Sequence, residues 1–401
     1  MSGIVIVGAG QAGASLATKL RTLGYDGAVT LIGEEPAPPY QRPPLSKGYL
    51  LGEMALERLY LRAPSFWAEQ KVRLRLGEMV IAIDRSAKSV QVGGESIPYD
   101  QLALATGTCP RRLPASIGGE MDGVYTVRTL ADVDAMAPSF RQGRRLLIVG
   151  GGYIGLEVAA VGAKLGLEVT LIEMAPRILQ RVAAPQTSDY FCKVHADHGV
   201  NILEDIGLDR LTGDSHVAGA VLSDGSEIAV DFVIVGVGVT PMTLLAEKAG
   251  LEIENGIRTD VFCRTSDPHI WAVGDCASFP YNGGRIRLES VGNAIDQAET
   301  AAENMLGAGK PYEAKPWFWS DQYDVKLQIA GLSNGYDRIV TRRAGVAVSC
   351  WYYAGGKLLA IDAMNDARAY MIGKRLIEMG KSRDPEVIAD PTADLRMLLK
   401  S

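Results

Sequence analysis

Short apolar runs closed by glycines punctuate the chain, and they recur in one arrangement. Ile4-Val5-Ile6-Val7 stops at Gly8, and Leu147-Ile148-Val149 stops at Gly150. A short run of consecutive β-favouring residues closed by glycine is the pattern of a strand buried on both faces, as in a parallel sheet. After each run the period lengthens to that of a helix, and a second β-rich run follows and ends in an acid: Val29 to Glu34 and Val169 to Glu173. Each unit therefore reads as strand, tight turn, helix, strand, a βαβ crossover. Apolar segments continue at Asp231 to Gly236 and at His269 to Val273, the latter ending at Gly274-Asp275. From about Pro311 the texture changes to an aromatic opening, Pro316 to Trp319, then a strand-like run from Val346 to Tyr353 and a late helix from Ala367 to Met379.

The turns carry the chemistry. Gly8-Ala9-Gly10-Gln11-Ala12-Gly13 and Gly150-Gly151-Gly152-Tyr153-Ile154-Gly155 are two copies of one glycine fingerprint. The first glycine permits the turn, the second lets the backbone approach a pyrophosphate at the helix N-terminus, and the third lets helix and strand pack closely. The acids, Glu34 and Glu173, stand where ribose hydroxyls would be accepted. A single fingerprint often serves packing alone, but two complete copies predict two dinucleotide sites. A carboxylate at Glu173 repels a 2′-phosphate, so a dinucleotide without one is favoured there; Arg177 and Arg181 follow closely and bear on that preference.

Composition narrows the class without changing it. A chain of 401 residues, 47% hydrophobic, has enough core for two or three domains. No apolar stretch approaches the roughly 20 residues of a spanning helix, so no membrane segment is expected and the location is read as cytoplasmic. The net charge of -6 argues against nucleic acid as the main partner. Residues 317 to 401 hold 12 Lys and Arg against 10 Asp and Glu, a local excess that suits an acidic partner. Five dispersed cysteines, Cys109, Cys192, Cys263, Cys276 and Cys350, read as reduced, buried thiols, with Cys276 a small residue at a helix start. His195 and His198 have the spacing of a metal pair, but they read as part of a surface helix without further ligands, and no metal is expected.

These features resemble the two-dinucleotide flavoprotein family that includes glutathione reductase. Further marks are Ala105-Thr106-Gly107, Gly236-Val237-Gly238-Val239-Thr240-Pro241 and Val273-Gly274-Asp275. The resemblance implies an α/β fold: two doubly wound nucleotide-binding domains, glutathione reductase-like, plus a C-terminal α/β domain covering the flavin. The expected division is FAD-binding over 1–108 and 234–312, NADH-binding over 109–233, and a C-terminal domain over 313–401. It further implies FAD contacts from Gly8, Gly10, Ala12, Gly13, Glu34, Lys47, Val80, Ala105, Thr106, Gly107, Arg128, Gly274, Asp275 and Val291. NADH contacts are implied from Gly150, Gly152, Tyr153, Ile154, Gly155, Glu173 and Gly238.

The loop that would hold the family's redox disulfide reads Pro39-Tyr40-Gln41-Arg42-Pro43-Pro44-Leu45-Ser46-Lys47 and contains no cysteine. Arg-Pro-Pro-Leu-Ser-Lys instead resembles the oxygenase-coupled ferredoxin reductases, as do Val127-Arg128-Thr129-Leu130, Glu289-Ser290-Val291 with Asn293 and Gln297, and Trp317 to Gln322. The implied activity is hydride transfer from NADH to FAD, followed by release of single electrons to a [2Fe-2S] ferredoxin, by a monomer or weak dimer. Val291, where dioxygenase reductases are expected to carry tryptophan, leans the reading toward a haem monooxygenase system. Implied catalytic groups are Lys47 near flavin N5, Glu157 as its partner, Tyr153 as a gate over the flavin and Trp319 on the electron exit route. A Rieske dioxygenase reductase, a rubredoxin reductase and an NADH oxidase stay open as alternatives. So does a signalling flavoprotein resembling apoptosis-inducing factor.

Overall fold

A computed structural model describes residues 3–399, which form two compact units. The first comprises residues up to 42, 55–109 and 239–316; the second comprises 43–54, 110–238 and the chain from 317 onward.

In the first unit Gly3–Val7 is the central strand, parallel to Val29–Gly33 on one side and Glu95–Leu104 on the other. Val72–Leu76 and Ile270–Ala272 extend the sheet at either side in parallel. The first part of Glu95–Leu104 pairs antiparallel with Ser89–Val92, which pairs with Val80–Asp84. Alternation along the central strand explains its unbroken apolar run. Ile4 and Ile6 join the core under the helices Gln11–Thr22 and Val291–Met305, while Val5 and Val7 join the opposite core with Val90, Leu251 and Ile257.

The second unit repeats the scheme. Asn201–Glu204, Glu168–Glu173, Arg145–Val149, Phe232–Val235 and Val124–Tyr125 form a five-stranded parallel sheet in that order. The helix Tyr153–Lys164 makes the crossover. Its C-terminal part is a five-stranded antiparallel sheet in the order Trp317–Gln322, Val325–Gly331, Lys357–Met364, Ala347–Ala354, Arg338–Ala344. The helix Ala367–Glu378, capped by the Asp366 carboxylate accepting from Ala369 N, packs on this sheet through Tyr370, Ile372 and Leu376.

Three expectations are corrected. His195 is not on a surface: its helix, Pro185–Asp197, buries it completely. Its hydrogen-bond partner lies far along the chain, where helical periodicity cannot reveal it. The cysteines are all free, but Cys109 is exposed and Cys192 only half-buried. Cys276 lies in a short 3₁₀ turn, Gly274–Cys276, rather than at the start of an α-helix. Among the described residues no helix is long and apolar enough to cross a membrane, and no cluster could hold a metal ion.

Candidate functional site

The two fingerprints fold alike. Gly8 has φ +112°, and a methyl there would lie 2.1 Å from the Ala105 carbonyl oxygen. A methyl at Gly13 would lie 1.9 Å from the Gly8 oxygen. In the second unit Gly150 has φ +109°, its methyl would meet the Gly236 oxygen at 2.5 Å, and that of Gly155 the Gly150 oxygen at 2.1 Å. The middle glycines differ. A methyl at Gly10 or Gly152 would meet nothing within 4 Å. Both are helix N-caps with no side-chain hydrogen bond, so each helix start faces open space with uncapped amides. That is the cradle a pyrophosphate needs.

Around the first cradle, Ala105, Thr106 and Gly107 follow the strand end, with Thr106 Oγ1 donating to Met242 O at 2.7 Å. Gly274 has φ +78°, and its N–H donates to Gln297 Oε1 at 2.8 Å. Gln297 Nε2 is buried without a partner among the described residues, an unmet donor that suits an acceptor-rich nucleotide. Asp275 and Val291 are half-buried, Ala12 and Val80 are buried, and Glu34 is exposed at its strand end. Reasoning from sequence missed the next residue. Glu35 accepts from Tyr40 Oη at 2.5 Å and from Arg42 Nη2 at 2.6 Å, while Arg42 Nη1 donates to Tyr40 Oη at 3.0 Å. This triangle holds the Pro39–Arg42 loop at the acid; the only sequence signal was the Glu-Glu doublet.

Around the second cradle, Glu173 is held in place by its own turn. Its oxygens accept from Gly151 N at 2.7 Å and Ala175 N at 2.8 Å. Arg177 is tied away, to Ser188 Oγ at 2.6 Å and Gln180 O at 3.2 Å, whereas the exposed Arg181 has its guanidinium 3.6 Å from where a methyl on Gly238 would stand. Ile154 is exposed on the helix beside the half-buried Tyr153, whose ring centre is 4.6 Å from that of Phe318. Burial raises the Tyr153 phenol well above its ordinary range, so the ring stays neutral. Arg128, half-buried, precedes the capping box of Leu130–Met136, its backbone N–H donating to Asp132 Oδ2 at 3.1 Å.

The strongest polar convergence is at Glu157, 2% exposed. Lys47 Nζ is 2.6 Å from its Oε2, Ser46 Oγ donates to the same oxygen at 2.5 Å, and Ser320 Oγ donates to Oε1 at 2.7 Å. Lys47 also donates to Pro43 O at 3.0 Å across the turn Pro43–Ser46, which fixes its ammonium. Tyr153 lies one turn before Glu157 on the same helix. Trp319 is not brought to this cluster. In the strand Trp317–Gln322, Phe318, Ser320 and Gln322 share one face, and Trp319 stacks on Trp317 at 5.4 Å on the other. Lys374 Nζ lies 5.3 Å from the Trp317 ring centre on that second face. Cys276, fully buried with its thiol pushed up by burial, is inert.

Residues 2–301 match the family model described as pyridine nucleotide-disulphide oxidoreductase, and residues 317–399 match one described as reductase C-terminal. A 5,5'-dehydrodivanillate O-demethylase ferredoxin reductase subunit from Sphingobium sp. is 43% identical, over 98% of this chain and 97% of that one. Rhodocoxin reductase from Rhodococcus erythropolis is 40% identical, over 99% of this chain and 94% of its own. The crystal structure of a covalent putidaredoxin reductase-putidaredoxin complex superposes with TM-score 0.96 at 38% identity, covering 100% of this chain and 98% of the other.

Proposed function

Because the chain belongs to the pyridine nucleotide-disulphide oxidoreductase family, we propose that it is an FAD-dependent NADH:ferredoxin reductase delivering electrons to a [2Fe-2S] ferredoxin of an oxygenase system. The observation that carries this is the pair of open cradles at Gly10 and Gly152, one in each unit, combined with a Lys47 loop that has no redox cysteine. FAD, when bound, supplies the conversion between a two-electron hydride and single electrons.

The residues supply the rest. Gly8, Gly10, Ala12 and Gly13 receive the FAD pyrophosphate, with Glu34, Val80, Ala105, Thr106, Gly107, Arg128, Gly274, Asp275 and Val291 as its further contacts. Gly150, Gly152, Ile154, Gly155, Glu173 and Gly238 hold NADH, and Glu173 selects it over NADPH because a carboxylate accepts ribose hydroxyls and repels a phosphate. Lys47 provides a fixed positive charge for the negative charge that hydride transfer brings, and Glu157 keeps that ammonium in place. Tyr153 excludes water and yields to the nicotinamide. Trp319 is the aromatic side chain assigned to the electron exit route. Residues 1–108 with 234–312, 109–233 and 313–401 form the FAD, NADH and C-terminal domains. Val291, where dioxygenase reductases are expected to carry tryptophan, favours a haem monooxygenase system over a Rieske dioxygenase, and NADH as reductant with unpaired cysteines suits a cytoplasmic location.

Reconstitution with FAD tests the reading. A yellow protein bleached by stoichiometric NADH supports it; a protein that takes up no flavin refutes it.

A further inference from the structure

A line of buried polar side chains runs away from Glu157 through the second unit. Ser320 Oγ, which donates to Glu157, is itself 3.1 Å from Gln322 Nε2. Gln322 Oε1 is 2.9 Å from His195 Nε2, and His195 Nδ1 is 3.1 Å from Tyr323 Oη. Ser320, Gln322 and His195 are each 0% exposed. The line ends at the half-buried Tyr323, whose ring stacks at 3.7 Å on the exposed His198.

Donor and acceptor chemistry orders this line completely. A carboxylate can only accept, so the one hydroxyl hydrogen of Ser320 points at Glu157. Ser320 must then accept from its other neighbour, so Gln322 presents its amide nitrogen there and its oxygen to His195. His195 must carry its hydrogen on Nε2, which leaves Nδ1 to accept from Tyr323. Every bond donates in the same direction, toward Glu157, and bonds aligned in series polarise one another.

We propose that His195, Gln322 and Ser320 are positioning residues that hold the Glu157 carboxylate in the orientation from which it fixes Lys47. This rests on the role given above to Lys47 and Glu157. The chain needs His195 neutral, and burial together with the neighbouring His198 pushes its ring down to about 4, against the opposing pull of the Gln322 oxygen. Among the described residues, the charged and titratable groups in contact with the line are Glu157 and Lys47 at one end and Tyr323 and His198 at the other.

The test reads the ring nitrogens of His195 in the holoenzyme by ¹⁵N NMR. With four histidines in the chain, the His195 signal is identified by its loss in His195→Gln. The expected result is one neutral form protonated at Nε2 and bare at Nδ1, unchanged down to about pH 5. A hydrogen on Nδ1, or a mixture of the two forms, overturns the proposal while leaving the role of Lys47 untouched. The second arm compares His195→Phe with His195→Gln, whose amide nitrogen can replace Nε2–H. The Phe variant should reduce its flavin about fivefold more slowly at saturating NADH with an unchanged KM, the rate equivalent of one net hydrogen bond. The Gln variant should return to within about twofold of wild type. A Phe variant at the wild-type rate, or a Gln variant as slow as Phe, overturns the proposal; should the Phe variant fail to fold, the ring nitrogens decide alone.

Discussion

Lys47 Nζ lies 2.6 Å from Glu157 Oε2, at a carboxylate that is 2% exposed and also accepts two serine hydroxyls. A buried carboxylate so fully satisfied is rigid, and it makes the lysine a preorganised cation rather than a mobile surface one. Lys47→Ala should slow flavin reduction by NADH about 10²-fold, the usual cost of removing one preorganised electrostatic group, while FAD binding is held by many other contacts. Stopped-flow bleaching alongside an FAD titration separates the two; a rate within about twofold of wild type would make Lys47 structural.

Stability and rate should also separate in a double replacement. Lys47→Ala alone leaves Glu157 buried without its cation and should lower the melting temperature. Replacing the pair together, as Lys47→Met with Glu157→Gln, removes both charges while the amide oxygen can still accept from a serine hydroxyl, and should recover part of that loss. The rate should stay low. A double variant with recovered rate would contradict the electrostatic role.

The glycines of the first fingerprint give a contrast of a different kind. At Gly13 a methyl falls 1.9 Å from the Gly8 oxygen, so Gly13→Ala should misfold the crossover and lower the melting temperature of the apoprotein. At Gly10 a methyl meets no protein atom within 4 Å, so Gly10→Ala should melt like wild type and bind FAD more weakly. Calorimetry of the apoproteins with flavin titration distinguishes them. If Gly10→Ala bound FAD normally, the open space there would not be the pyrophosphate cradle.

Cofactor choice should turn on one side chain. Glu173 is locked by Gly151 N and Ala175 N, and Arg177 is tied to Ser188. Glu173→Arg removes a charge clash of about 1 to 3 kcal/mol, so the preference for NADH should weaken or reverse by roughly 5 to 150-fold in kcat/KM. Equal use of both cofactors by the wild type would remove that role from Glu173.

Two buried groups set opposing pH dependences of stability. His195 is pushed from its ordinary 6.5 down to about 4, so the unfolded chain binds its proton first as pH falls, and stability present above about 6.5 is lost toward 4. Asp362, which accepts from Thr187 Oγ1 at 2.8 Å and from the Tyr352 hydroxyl, is pushed by burial from 3.8 up to about 6. There the native state binds the proton first, so stability present below about 3.8 is lost as pH rises through 6. Between pH 4 and 6 the two oppose each other. Denaturant titrations of the holoenzyme should show a steeper acid loss in Asp362→Asn and a shallower one in His195→Gln. Slopes parallel to wild type in both variants would contradict these assignments.

The two crossovers were legible because their strands are buried on both faces and their glycines are demanded by backbone contacts, both of which leave local marks. The surroundings of Glu157 were not. Ser46 lies 111 positions before it and Ser320 163 after it, and nothing in a lone serine announces such a partner. His195 was misplaced for the same reason: its partner Gln322 is 127 residues away, so a polar residue on a helix read as exposed. The strand Trp317–Gln322 shows the limit most clearly. Its residues were recognisable as a motif, but only the observed alternation sends Ser320 toward Glu157 and Trp319 to the opposite face.

The reductase activity itself is tested most directly by electron counting under anaerobic conditions. Holoenzyme, NADH and an excess of oxidised [2Fe-2S] ferredoxin are mixed, and the ferredoxin spectrum is followed as NADH is consumed. Two ferredoxins reduced for each NADH oxidised, with none reduced when FAD is omitted, is the expected result. NADH consumption that leaves the ferredoxin oxidised and proceeds only when oxygen is admitted would contradict it and make the protein an NADH oxidase.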